Sequence, residues 1–307
     1  MVSGDKAKTP VVFFGTGPVA AKSLELLLKH CDVETVITKP KPPGHRGNFP
    51  VLDVAQGHEL PITEVSSKAE LSQKLKNSGL SSPVGVLIDF GIIVSRDVID
   101  YFPLGIINSH FSRLPQWRGA DPISFAILSG QKSTGVTLML IDEGMDTGKI
   151  LVQKSQLISS SDTTGSLTDK LINLSDNLLK SYLPKHLSRQ LTPRNQPHPE
   201  RVTYSRKLTK EDGLIDWNKP AEVLEREIRA FHEWPKSYTK LAGKDVVITS
   251  AKVSSFSGKP GTVVLNKNEL HLCCGQNSLQ LLKLTPAGKK EMTAEAFLAG
   301  HRDLLNK

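Results

Sequence analysis

Apolar runs and helical patterns alternate regularly over the first half of the chain, and this alternation constrains the fold more than any other feature. Residues 11–14 form an apolar run that ends at a Gly-rich turn, residues 20–28 have the spacing of an amphipathic helix, and residues 33–38 form a second apolar run. Similar pairs follow as far as residue 152 and predict strands joined by helices. Such strands form a mostly parallel sheet with helices on both faces. We therefore predict a Rossmann-like α/β domain.

The turn Gly15-Thr16-Gly17 lies where a Rossmann fold can hold the phosphates of a dinucleotide. Ala20 occupies the third position of the usual G-x-G-x-x-G pattern, and the second strand ends in Lys39 rather than in an acidic residue. We favour a tight turn into the first helix. Dinucleotide binding is the weaker alternative.

The pattern changes after a long helical segment at residues 167–183. Residues 187–204 are polar and Pro-rich, which is typical of a linker, and short strands separated by Gly, Lys and Asn turns follow. We predict an α/β domain over residues 1–186, a linker over 187–204 and a small β-barrel domain over 205–307.

The composition excludes several classes of protein. No apolar run approaches the roughly 20 residues that span a bilayer, and the first residues do not have the pattern of a secretory signal. Cys31, Cys273 and Cys274 form neither a disulfide framework nor a zinc-ligand pattern, and we expect the last two to alternate between the inside and the outside of a strand. We expect a cytoplasmic bacterial protein, or one of an organellar matrix if the chain is a processed form.

Three polar residues suggest chemistry at a carbonyl group. Asn108 and His110 end an apolar run, and in a strand both side chains leave the same face. Asp146 lies in a turn rich in Asp and Gly further along the chain. An amide donor, an imidazole and a carboxylate can stabilise an oxyanion and move a proton. The simpler interpretation of each residue alone is a polar group at a strand end.

Around these residues the sequence resembles the formyltransferase family that uses 10-formyltetrahydrofolate. The similarity includes Asn-x-His, four residues of the segment 112–120 (Leu114, Pro115, Arg118 and Gly119), residues 134–137 and residues 142–148, and it extends over nearly the whole chain. It implies an α/β catalytic domain followed by an OB-like barrel that binds tRNA. It also implies that Asn108 donates to the oxyanion, His110 stabilises it or shuttles a proton, and Asp146 orients His110.

The resemblance further implies a folate pocket and a metal-independent reaction with 10-formyltetrahydrofolate as the formyl donor. The residues at the positions of the family's folate pocket are Phe90, Gly91, Ile92, Ser112, Leu114, Pro115 and Asp142. The chain departs from the common family pattern at Phe90, where Tyr is frequent, and at Phe111, Arg113 and Gln116. These departures concern the pocket wall.

The amine that receives the formyl group is suggested by basic segments. The chain has a net charge of +8, and residues 205–307 contain 17 basic and 12 acidic residues. Basic surfaces attract phosphates, although a solvated basic surface is a common alternative. The family branch with the closest likeness formylates methionyl initiator tRNA in translation initiation, and Arg46 matches the loop with which that branch enters the acceptor stem. We expect the tRNA to be bound by Arg46 together with Lys41, Arg118, Lys289 and Lys290.

Two alternatives remain open at this point. A formyltransferase for another amine, such as an amino sugar or glycinamide ribonucleotide, would share the three catalytic residues. A tRNA-binding module without activity would not require them. We favour the tRNA enzyme and expect a monomer.

Overall fold

The computed structural model describes residues 8–44 and 46–305, with side chains as far as residue 301. Residues 1–7, His45 of the predicted basic loop, and residues 306–307 lie outside the described part. The described residues form two compact units. The first contains the residues up to Gly119 together with Thr134–Leu157 and Thr168–Tyr204, and the second contains Ala120–Ser133, Ile158–Leu167 and the residues from Ser205 onward. The predicted boundaries at residues 186 and 205 stay a prediction.

The elements alternate as expected in the first part of the chain. In chain order they are β1 (Thr9–Phe14), α1 (Pro18–Leu27), β2 (Cys31–Thr38), α2 (Pro50–Gly57), β3 (Ile62–Glu64), α3 (Lys68–Lys76), β4 (Gly85–Leu87), α4 (Arg96–Tyr101), β5 (Ile106–His110), β6 (Arg118–Gly119), α5 (Pro122–Leu128), β7 (Ser133–Leu140), β8 (Ile150–Leu157) and α6 (Thr164–Leu187).

Short strands dominate the rest of the described chain. A 3₁₀ turn at Pro199–Arg201 and another at Lys210–Gly213 accompany β9 (Tyr204–Ser205), α7 (Ala221–Ala230), β10 (Ser237–Leu241), β11 (Lys244–Ser254), β12 (Val263–Asn266), β13 (Glu269–Cys273), β14 (Ser278–Pro286), β15 (Met292–Thr293) and α8 (Ala294–Leu305).

The sheet of the first unit has seven strands in the order β3-β2-β1-β4-β5-β7-β8. Its first four pairings, from β3 to β5, are parallel, and β7 runs antiparallel to β5. The chain order reverses between β1 and β4, and ligands of open α/β sheets bind outside the carboxyl ends of the strands near such a reversal. The predicted mostly parallel α/β fold is confirmed.

The turn after β1 fits the carboxyl end of β4 closely. The hydroxyl of Thr16 donates to the carbonyl oxygen of Phe90 at 2.9 Å. A Cβ atom on Gly17 would overlap the carboxylate of Asp89, so a side chain at this position would displace that carboxylate. Gly17 precedes Pro18, the first residue of α1, where the fixed φ of proline suits a helix start. These contacts explain the glycine spacing as that of a tight turn into a helix.

The second unit contains an antiparallel sheet in the order β10-β11-β14-β13-β12, with β15 paired to β14. Its core includes Leu224 of α7, Leu272 of β13 and Phe297 of α8. The C-terminal antiparallel β domain is confirmed, and closure of the sheet into an OB-like barrel stays a prediction. Sequence patterns did not predict α8, although its buried residues Ala294, Phe297 and Leu298 have the i, i+3, i+4 spacing of a helix.

The expected alternation at Cys273 and Cys274 is wrong. Both residues are buried, because Cys274 lies just past the end of β13 and packs into the core of the second unit. Burial raises the pKa of the Cys274 thiol to about 11 and that of Cys31, in the first unit, to about 12. These two thiols are therefore protonated near neutral pH. No helix in the described part of the chain is long and apolar enough to cross a membrane.

Candidate active site

Strand β5 presents Asn108 and His110 on one face, as predicted. Ser109 between them faces the other way, and its hydroxyl lies 2.6 Å from the hydroxyl of Ser175 in α6. Asn108 pairs with Leu87 of β4 in the sheet register. The pair therefore lies beside the carboxyl end of β4, where a ligand of such a sheet is expected.

Asp146 is brought to these residues by the loop between β7 and β8. Its Oδ1 accepts a hydrogen bond from Nδ2 of Asn108 at 3.3 Å, and its Oδ2 accepts one from the backbone N–H of Gly119 at 2.7 Å. Oδ2 is also 3.7 Å from Nδ1 of His110, and the His110 and Asp146 side chains are 7% and 15% exposed. The structure thus brings together the three residues predicted to be catalytic.

A second neighbour, the carbonyl oxygen of Trp117, determines which nitrogen of the neutral His110 ring carries the proton. Nε2 of His110 lies 2.9 Å from the carbonyl oxygen of Trp117, which can only accept a hydrogen bond. Nε2 therefore carries a proton, and Nδ1 is the nitrogen that faces Asp146. A proton on Nδ1 would create an imidazolium beside the carboxylate of Asp146.

The Asp146 loop depends on unusual backbone geometry. Asp146 has a φ of 52°, a left-handed conformation that Asn and Asp adopt more readily than most residues. Two residues later, a Cβ atom on Gly148 would lie only 1.7 Å from the carbonyl oxygen of Leu140. The sequence Asp-Thr-Gly therefore allows the loop to turn back toward β5.

Hydrogen bonds from residues of β7 and β8 support the segment that follows His110. The hydroxyl of Thr137 donates to the Ser112 carbonyl at 2.7 Å and accepts from the Leu114 N–H at 3.2 Å. The Gln153 amide donates to the Leu114 carbonyl at 2.9 Å. Ser112, Leu114 and Pro115 are buried, so they support the wall of the site from within.

The predicted folate residues at the end of β4 differ in exposure. The Phe90 ring is buried and packs edge-to-face on Phe14, with ring centroids 5.5 Å apart. Gly91 is exposed with a φ of 67°, and Ile92 is half-buried. Next to them Ile93 is 75% exposed. The exposed surface at the end of β4 is formed by Gly91 and by the side chain of Ile93, whereas the Phe90 ring is part of the core.

Asp142 stabilises its own loop. Its Oδ1 accepts from the Gly144 N–H at 3.1 Å and from the Thr147 hydroxyl at 2.6 Å. Asp142 is exposed, and both bonds lie inside the loop that carries Asp146. The geometry therefore gives Asp142 a clear part in shaping the loop.

The basic residues predicted to contact tRNA have different surroundings. Lys41, Arg46, Lys289 and Lys290 are exposed, and Nζ of Lys41 donates to the Gly47 carbonyl at 3.0 Å. The guanidinium of Arg118 instead donates to Oε1 of Gln196, from Nη2 at 2.7 Å and from Nε at 3.2 Å. Arg118 is thus held against the first unit, one residue before Gly119.

Three residues that hold the site were not found from the sequence: Trp117, Gln196 and Thr203. Trp117 acts through its carbonyl oxygen, which no side-chain pattern reveals. Gln196 donates from Nε2 to the Asp146 carbonyl at 2.7 Å, and the Thr203 hydroxyl accepts from the Trp117 N–H at 2.9 Å. Both lie in the polar segment that composition alone identifies as a linker.

Comparison with known proteins agrees with this geometry. The family profile described as "Formyl transferase" matches residues 9–183, and "Formyl transferase, C-terminal domain" matches residues 207–302. The chain is 37% identical over 299 residues to a protein of Myxococcus xanthus named methionyl-tRNA formyltransferase, covering 95% of each chain. It is also 37% identical over 297 residues to the protein of the same name from Magnetococcus marinus, again covering 95% of each chain.

The fold is shared with more distant solved structures. An N-formyltransferase from Helicobacter canadensis, crystallised with folinic acid and dTDP-3-aminofucose, superposes with a TM-score of 0.68. The two chains are 19% identical, and the superposition covers 89% of this chain and 98% of the other. At this identity the likeness concerns the fold.

Proposed function

The chain belongs to the formyltransferase family, and from this membership we propose that it transfers the formyl group of 10-formyltetrahydrofolate to the α-amino group of methionyl initiator tRNA. The observation that carries the proposal is the convergence of Asn108, His110 and Asp146 on one side of β5. The amine is inferred from the relatives named methionyl-tRNA formyltransferase, which match the chain over both units.

In this reaction the neutral amine of the methionyl group attacks the formyl carbon, and the carbonyl oxygen becomes an oxyanion. The Asn108 amide has two N–H groups, so donation to Asp146 engages one and orients the other toward that oxygen. An imidazolium at His110 adds positive charge on the same face of β5. Both groups stabilise the tetrahedral intermediate more than the planar formyl group.

The protons balance without a covalent enzyme intermediate. The attacking amine loses a proton, which Asp146 accepts through a water molecule, and the nitrogen of the folate gains one as the carbon–nitrogen bond breaks. The products are formylmethionyl-tRNA and tetrahydrofolate. An imidazolium at His110 can donate its Nδ1 proton to the nitrogen of the folate and recover one from the protonated Asp146 beside it.

The end of β4 has features that suit a folate. A pterin is flat and carries hydrogen-bonding edges, so it fits against exposed backbone next to an apolar side chain. Gly91 is exposed and its carbonyl accepts from Nζ of Lys39 at 2.8 Å, and the exposed Ile93 is an apolar surface that a ring would cover. We propose that this segment contacts the donor mainly through its backbone.

For the tRNA we propose contacts to phosphates from the basic loop, through Lys41 and Arg46, and from the turn of Lys289 and Lys290. All four side chains are exposed. Phosphate contacts of this kind position the nucleic acid and weaken with salt. As a translation-initiation enzyme the protein would act in the cytoplasm of a bacterium or in an organellar matrix.

A formyl-transfer assay tests the proposal. The purified protein is incubated with donor labelled in the formyl group and with charged initiator tRNA, and the label on methionine is measured after hydrolysis of the ester. We expect label on methionine, and none when the tRNA is uncharged. In parallel reactions an amino-sugar nucleotide and glycinamide ribonucleotide replace the tRNA. Label on either of these, with none on methionyl-tRNA, would overturn the proposed substrate.

A further inference from the structure

Residues 194–203, which we call the strap, form hydrogen bonds to the backbone segments that position His110 and Asp146. The strap lies between the two parts of the chain that match the family profiles, residues 9–183 and 207–302. A two-way backbone bridge fixes its start to β8: the N–H of Ile150 donates to the Arg194 carbonyl at 2.7 Å, and the N–H of Arg194 donates to the Ile150 carbonyl at 2.9 Å. The strap thus begins hydrogen-bonded to β8, and it belongs to the first unit.

Gln196 holds the Asp146 loop. Its Nε2 donates to the carbonyl oxygens of Asp146 at 2.7 Å and Gly148 at 3.0 Å, while its Oε1 accepts from Arg118. Carbonyls can only accept and a guanidinium can only donate, so the side-chain amide fits in one orientation. One side chain thus joins the loop of Asp146 to the residue that precedes Gly119, whose N–H binds the Asp146 carboxylate.

Thr203 holds the partner of His110. Its hydroxyl accepts from the Trp117 N–H at 2.9 Å, and its carbonyl accepts from the Arg118 N–H at 2.9 Å. Trp117 has a φ of 57°, a conformation that L residues rarely adopt, and its carbonyl accepts from His110. Such a conformation persists where surrounding contacts fix it. Thr203 supplies one of those contacts.

We propose that Gln196 and Thr203 are positioning residues for formyl transfer, which set the distance and angle between His110 and Asp146. The inference rests on the proposed function. Both side chains act on the backbone of the catalytic segments: Gln196 on Asp146 and Gly148, and Thr203 on Trp117. Their loss should therefore change the rate of the chemical step and leave the affinity for the two substrates intact.

The first test compares Gln196→Ala and Gln196→Glu with Asn195→Ala, the exposed neighbour in the strap. Glu keeps the length and the acceptor for Arg118, but it places oxygens against two carbonyls. We expect kcat to fall by about tenfold to a hundredfold in both Gln196 variants, the range for small errors in catalytic geometry, with KM and Tm near wild type. Asn195→Ala should keep wild-type kcat. A kcat within twofold of wild type in Gln196→Glu would overturn the role of Gln196.

The second test uses a conservative rescue at Thr203. Thr203→Val keeps the shape of the side chain and the backbone carbonyl but removes the hydroxyl, whereas Thr203→Ser keeps the hydroxyl. We expect the Val variant to lose kcat and the Ser variant to recover it. Equal losses in Val and Ser would show that packing, and not the hydrogen bond to Trp117, accounts for the effect.

A spectroscopic measurement separates this inference from the proposed function. In protein labelled with ¹⁵N-histidine, the Nε2–H resonance of His110, identified by its loss in His110→Gln, reports the bond to Trp117 whatever reaction the protein catalyses. We expect Thr203→Val to shift this resonance and Thr203→Ser to leave it unchanged. A resonance unchanged in Thr203→Val would contradict the strap's role. If wild-type protein forms no formylmethionyl-tRNA while the shift is seen, only the proposed function fails.

Discussion

Nδ1 of His110 lies 3.7 Å from Oδ2 of Asp146. The proposed chemistry depends on the charges of this imidazole and this carboxylate, which the short distance brings together. The carboxylate is also bound by Asn108 and by the backbone of Gly119, so it remains in place when His110 is neutral. Asp146 therefore joins Asn108, His110 and the backbone of Gly119 into one group.

Replacing Asp146 by Asn should remove formyl transfer without unfolding the protein. Asn tolerates the left-handed backbone at this position and keeps the volume, but it cannot accept the amine proton or balance an imidazolium. We expect kcat to fall by about a hundredfold or more, the usual contribution of a general acid or base. Circular dichroism and Tm provide the control for folding. Wild-type kcat in this variant would exclude Asp146 from the proton path.

Replacing Arg46 by Ala should weaken the use of tRNA and leave the use of folate unchanged. The side chain is exposed in the basic loop, and a lost phosphate contact reduces the salt dependence of binding by about one unit of slope. We expect a higher KM for methionyl-tRNA and the same KM for the donor. Lys68→Ala removes an exposed charge at the start of α3 and is the matched control. Equal effects of the two variants would show that Arg46 contributes only general surface charge and makes no specific contact with the tRNA.

Gly148→Ala should destabilise the loop that carries Asp146. The new Cβ would lie 1.7 Å from the Leu140 carbonyl oxygen, so the backbone must shift, at a cost of about 1 to 3 kcal/mol in unfolding free energy. Gly57→Ala adds the same methyl group at the end of α2, where nothing beyond its chain neighbours and its own helix lies within 4 Å, and should leave stability unchanged or slightly raised. Chemical denaturation measures both. Equal stability of the two variants would contradict the close approach of Gly148 to Leu140.

The buried Cys31 thiol should make stability depend on pH in the alkaline range. Burial raises its pKa from 9.0 to about 12, so the native state keeps a proton that the unfolded chain loses. The stabilisation is complete below pH 9 and declines above it, by about 1.4 kcal/mol per pH unit for one proton. Between about pH 8 and about 10.5 wild type should lose about 2 kcal/mol more than Cys31→Ala. Parallel curves from urea unfolding would show that this thiol ionises equally in both states.

Much of the fold follows from local patterns, because the strands of the α/β sheet are short apolar runs bounded by turns. The three residues proposed to be catalytic could also be identified, since Asn108 and His110 share a face in any strand and Asp146 lies in a distinctive turn. Contacts between segments that are distant in sequence could not be predicted. The bond from Thr203 to Trp117 spans a large stretch of chain, and the burial of the Phe90 ring depends on the placement of Phe14. Such contacts leave no local period in the sequence.

The most direct test of the account is a single-turnover measurement of formyl transfer from labelled donor to methionyl initiator tRNA by wild-type protein and by Asn108→Ala. The variant lacks the amide donor to the oxyanion, while its binding of tRNA should be unchanged. We predict labelled formylmethionine from wild type, and a rate lower by about a hundredfold to a thousandfold in Asn108→Ala, as for other oxyanion donors. Equal rates for the two proteins, or no label transferred by wild type, would contradict the account.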